Sequence, residues 1–107
     1  MATFTVHQLE RNLADRDLNT YRRLSFNDSE YQPEDFQFFN PVARVEAEDL
    51  EHVFHLTNAW NDLDRVRRYM PMHSLSVGDI VESHNHDQLG HRYFMVAGFG
   101  FNEVEVA

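Results

Sequence analysis

The chain has no cysteine. Disulfides, thiolate-bound zinc, iron–sulfur clusters and a thiol nucleophile are excluded at once. It has no lysine either. All nine basic residues are arginine, against eighteen carboxylates, and the formal net charge is −9. No apolar run approaches the roughly 20 residues needed to span a bilayer. The opening Met1–His7 lacks a basic region followed by an apolar stretch, so no signal peptide is expected. Those absences lead to an expectation of a soluble protein of the cytoplasm.

What is present is bulky apolar material. Nine Phe, four Tyr and one Trp in 107 residues can fill a core without staples. Residues 1–107 are most simply one domain. The acidity repels nucleic acid and suits either a solvated surface or a basic partner. Carboxylates are dense at Asp28–Glu34 and Glu46–Glu51. A sharper reading is a nucleic-acid mimic that occupies a DNA- or RNA-binding protein. Arg65, Arg67 and Arg68 with Tyr69 form the one basic-aromatic patch, a weak basis for direct nucleic-acid contact in so acidic a chain.

Thr3–Leu9 alternates Phe4 and Val6 with polar neighbours and reads as a strand. Glu10–Tyr21 reads as a short helix or turn, Arg23–Phe26 as a second short strand, and Asn27–Asp35 as a loop. Phe36–Glu46 reads as extended. Pro41 cannot donate to a ladder, so this segment is expected at an edge or broken at Asn40. Ala47–Thr57 is the best helix, with Leu50, Val53, Phe54 and Thr57 on one face and His52 and His55 beside it. Asp64–Met72 reads as a link closed by Pro71. From Leu75 onward the pattern is β, and Gly98 and Gly100 suit a bulge or bend. The fold class is α+β, a small antiparallel sheet packed against one main helix.

Seven histidines are a candidate for chemistry. His84 and His86 share one side of a strand end, and His91 can return from the far arm of a hairpin. With Asp87 they make a candidate divalent-metal site and the basis for a metal-dependent enzyme. The bland alternative is a solvated hairpin loop. His52, His55 and His73 are a second imidazole group, or packing histidines. His73, Ser74, Ser76 and Asp79 supply the residue types of a hydrolytic relay, but all lie within seven residues and no nucleophile elbow is present. Hydroxyls in a turn, with Asp79 accepting backbone N–H bonds, account for the same residues. The pairs Asp62/Asp64 and Glu103/Glu105 read as solvated faces. Gly98-x-Gly100 is too short for a phosphate loop. No catalytic residue and no cofactor are assigned.

Three stretches carry a resemblance: Asp49–Asn58, His73–Val81 and Tyr93–Val104. In their words and order the chain resembles the YodL-like family, small domains of plasmids, integrative elements and phages. The signature positions are His73, Ser74, Ser76, Asp79, Gly98, Phe99, Phe101 and Glu103. The chain departs at Thr57-Asn58, where Phe-Asn is usual, and at Phe101-Asn102-Glu103, where Phe-Lys-Glu is usual. Gly78 stands where serine is usual, so a negative φ is expected there. The resemblance implies a mobile-element accessory context and carries no reaction with it. The leading expectation is a small non-enzymatic protein of a phage or plasmid. Its partner would be a host or self protein, including a nucleic-acid-binding protein engaged in an anti-defence role.

Overall fold

The computed structural model describes residues 2–25, 30–59, 65–84 and 91–107. Strand β1 (Ala2–Leu9) is followed by helices α1 (Leu13–Arg16) and α2 (Leu18–Ser25), then a 3-10 helix (Pro33–Phe38). Next come β2 (Phe39–Ala47), α3 (Leu50–Ala59), β3 (Val66–Arg68), β4 (Ile80–His84), β5 (Arg92–Val96) and β6 (Phe101–Val104). The strands form a six-stranded sheet in the order β3-β2-β1-β4-β5-β6. Every pairing is antiparallel. The α+β expectation holds. No helix of the described residues is long and apolar enough to cross a membrane.

Period-two alternation sends apolar side chains to both faces of the sheet. The first face carries Phe4, Val6, Val45, Val81 and Val96, packed with Val53 and Leu56 of α3 and with Leu75. The second carries Ile80 and Met95, packed with Leu24 of α2, Tyr31 and Phe39, and flanked by Phe36 and Phe38 of the 3-10 helix. The sheet is therefore covered twice, not by one helix alone. The second cover is pinned by Arg23, which donates to both Asp35 oxygens at 2.7 and 2.8 Å. The Tyr31 hydroxyl ties it to the chain's end by donating to the Glu105 carbonyl at 2.9 Å.

Several expectations change. Arg23–Ser25 belong to α2, and Phe26 lies outside the described residues. Asp17 decides this. Its carboxylate accepts the Thr20 amide at 3.2 Å and the Thr20 hydroxyl at 2.7 Å, capping a helix start. Residues 36–38 are 3-10 helix, and residues 66–68 of the expected link are strand. β2 is interior rather than an edge. Pro41 is tolerated because the β1–β2 register shifts between Val6 and His7, and β3 reaches only Ala43–Val45. α3 begins at Leu50, with the Asp49 carboxylate accepting the His52 amide at 2.8 Å. Its buried positions are Val53, Leu56 and Thr57, while Phe54 is 41% exposed.

Gly78 has φ +96°. The expectation of an ordinary negative φ fails because Gly78 is the third residue of a turn closed by the Asp79 amide on the Ser76 carbonyl at 3.0 Å, and this turn passes under the end of α2. A Cβ here would lie 2.9 Å from the Leu24 carbonyl oxygen and 3.1 Å from that of Ser25. Gly78→Ala is expected to destabilise the fold by about 1–3 kcal/mol, from backbone strain and the backbone contact together. Gly98→Ala, with nothing within 4 Å of its Cβ, serves as control. Urea unfolding of both variants checks this, and equal midpoints would refute it.

Candidate functional site

Polar side chains that the strands send into the packed faces form two centres. The first is on the second face. Ile80, Glu82 and His84 alternate along β4, so the last two share that face with Ile80. Thr5 of β1 and Tyr93 of β5 sit across from Glu82. Glu82 is 8% exposed and His7 is 6% exposed. His7 Nε2 lies 2.9 Å from Glu82 Oε1. The other oxygen, Oε2, is hydrogen-bonded by His91 Nδ1 and lies 3.5 Å from His84 Nε2. His84 Nε2 is also 2.9 Å from the Thr5 hydroxyl. The His84 and His91 rings are 4.3 Å apart between centroids.

Burial sets the protonation of this group. It pushes the His7 pKa down, against the opposing pull of Glu82. A neutral His7 donates through Nε2 and leaves Nδ1 as a bare lone pair. That atom is the buried side-chain nitrogen without a partner among the described residues. For Glu82, burial acts upward, but hydrogen bonds from His7 and His91 outweigh it and the pKa falls below the ordinary value. Glu82 is thus an ionised carboxylate, with one oxygen fixed by His7 and the other turned toward two imidazoles.

The second centre joins the 73–79 segment to β1. Gln8, 3% exposed, donates from Nε2 to Asp79 Oδ2 and to the His73 carbonyl, both at 3.0 Å. Its Oε1 accepts the His73 amide at 3.3 Å. Asp79 Oδ2 also accepts the Ser76 amide at 3.0 Å, and the Asp79 amide returns to the Ser76 carbonyl at 3.0 Å. His73 Nδ1 is 2.7 Å from the Ser74 carbonyl and 3.8 Å from Asp79 Oδ2. Its Nδ1 is therefore engaged by the backbone, and a relay in which Asp79 orients the ring does not form. Beside the turn lies a hollow of about 310 Å³ lined by Glu10, Arg11, Tyr21, His73 and Ser76 among others.

Of the residues singled out in the sequence, His84 and His91 come together and Glu82 joins them. His86 and Asp87 lie outside the described residues. The pair Glu103 and Arg92 bridges β6 and β5 at 2.7 Å. Gly98 and Phe99 form the β5–β6 turn, closed by the Ala97 amide on the Gly100 carbonyl at 2.9 Å. Phe99 is fully exposed at 100%, while Phe101 packs against the first-face core. His52 and His55 do not join His73. His52 Nδ1 accepts the Glu48 amide at 3.0 Å, and His55 is exposed. Arg67 lies across from Arg44 on the β2–β3 edge. The sequence reading missed Glu82, His7 and Gln8. The alternation of Ile80, Glu82 and His84 was the available signal for Glu82. Nothing local marks Gln8.

Matched against known families, residues 3–106 correspond to the YodL-like domain. The chain belongs to that family. No match was found among curated proteins or solved structures. In this YodL-like domain the signature residues His73, Ser76 and Asp79 build a turn, and Phe99 is presented at a hairpin tip.

Burial raises the Asp79 pKa from 3.8 to about 6, against the pull of Ser76, His73 and Gln8. The folded value lies above the unfolded one, so protonation favours the folded state. That contribution is complete below 3.8 and is lost as pH rises through about 6. The gap corresponds to about 3 kcal/mol. Asp79→Asn keeps an oxygen for Gln8 and Ser76 and removes the charge. Relative to Asp79→Asn, the wild type is expected to lose stability between about pH 4 and 6, the span of these two values. Urea titrations across that range test this, and parallel profiles would count against it.

Proposed function

We propose that this YodL-like domain is a non-enzymatic accessory module of a phage or plasmid that acts by binding a protein. The observation that carries the reading is Phe99. A fully exposed aromatic at a tight hairpin tip serves no core and costs solubility. It is not isolated. Gly98 and Gly100 on either side of it line a hollow of about 390 Å³ together with Phe54, Val96, Ala97 and Phe101. Phe54 is the helix position that the apolar periodicity assigns to the core, yet it opens into this hollow. Glu51 stands on the wall.

An aromatic anchor beside an apolar hollow with a carboxylate on its wall suits a partner that offers a matching pocket and basic rim. The net charge of −9 favours the same kind of partner. A nucleic-acid-binding protein is the finer form of this reading, with the carboxylates of Glu46–Glu51 standing in for phosphates. Host and self proteins both remain within it.

The test starts from a partner captured from host lysate and purified. Phe99→Ala is expected to leave stability within about 0.5 kcal/mol, since the side chain touches solvent. The same change is expected to weaken the complex by about 30-fold, as loss of a central aromatic anchor does. Unchanged affinity, or no protein retained by the wild type, would sink the reading. Reversing Glu46, Glu48 and Glu51 to arginine separates the finer form. Retained binding to a nucleic-acid-binding partner removes the mimicry.

A further inference from the structure

The β4–β5 hairpin brings three metal-ligating groups to one point. Glu82 and His84 project from one face of β4 because they are two apart. His91 enters from the start of β5, two positions before Tyr93, which sits across from Glu82. One donor atom from each of Glu82, His84 and His91 lies within 4.8 Å of the others. Nitrogen and oxygen donors at 2.0–2.2 Å from a tetrahedral zinc ion lie about 3.3 Å apart. His91 already contacts the carboxylate and is exposed, so a small swing of its ring back from Glu82 admits an ion between the donors.

The electrostatics favour a cation. One ionised carboxylate oxygen faces two imidazoles. The arrangement also includes a supporting group. Ligating carboxylates are usually held by a hydrogen bond to their other oxygen, which fixes their direction. Here buried His7 occupies Oε1 at 2.9 Å and leaves Oε2 pointing at His84 and His91. Entry is open, because His91 is exposed and His84 only partly buried.

We propose that Glu82, His84 and His91 form a binding site for one borderline divalent cation of the zinc type, with His7 as the residue that positions the carboxylate. Two imidazoles and one carboxylate select such ions over calcium or magnesium, which prefer all-oxygen shells. The ion would clip the ends of β4 and β5 together.

The probe is Zn²⁺, titrated calorimetrically into chelator-stripped protein, with Mg²⁺ as a second titrant. One saturable site for Zn²⁺ is expected, accompanied by a rise in melting temperature. His91→Ala, at an exposed position, is expected to fold normally and to bind at least about tenfold more weakly. Glu82→Gln is expected to do the same, with circular dichroism confirming its fold. His55→Ala, at an exposed position of α3, is expected to change nothing. Absence of a saturable site overturns the proposal. So does unchanged affinity in His91→Ala, or loss of the site in His55→Ala.

Discussion

Both faces of this sheet are covered, and that constraint governs its polar chemistry. A strand with one wet face can place polar residues there at no cost. Here α3 covers the first face and α2 with the 3-10 helix covers the second. Any polar side chain that the pleat turns inward must find its partner inside the protein. Glu82 finds His7, His84 and His91; Gln8 finds Asp79 and the His73 backbone. The two centres are consequences of the same burial, and each ties β1 to a segment more than sixty residues away, with separations of 75 for His7–Glu82 and 71 for Gln8–Asp79.

The elements legible in the sequence were those whose own period decides them. β1 alternates, α3 repeats at helical spacing and carries acids at its start, and the last third alternates again. The errors arose where distant residues decide. Pro41 looked like an edge because a ladder donor is missing, but the register shift against β1 absorbs it. Gly78 looked replaceable because serine is usual there, and the space that a Cβ would need is closed by the carbonyls ending α2. The candidate site was half legible. His84 and His91 were visible as a hairpin pair. Glu82 and His7 acquire meaning only once β1 is laid beside β4, a pairing that no local pattern states.

The two functional readings occupy opposite ends and opposite faces of β5. The imidazole–carboxylate group sits at its beginning on the second face. Phe99 and the apolar hollow follow its end, on the side of Val96 and Phe101. Five residues of strand separate the two, about 17 Å. A single rigid strand thus carries both, and an ion holding one end would stiffen the support of the other without touching what binds there.

The place of β1 in the sheet order has a consequence for the nascent chain. It precedes both of its neighbours in the chain and ends up in the middle, between β2 and β4. β2 is complete at Ala47, but β4 is complete only at His84. At translation speeds of roughly 5–20 residues per second, several seconds pass between them. During that interval Thr3–His7 presents an open row of amides and carbonyls, with Phe4 and Val6 beside it and no β4 to cover them. On the ribosome, the strand that is best protected in the finished protein is the one longest at risk of pairing with a neighbouring chain.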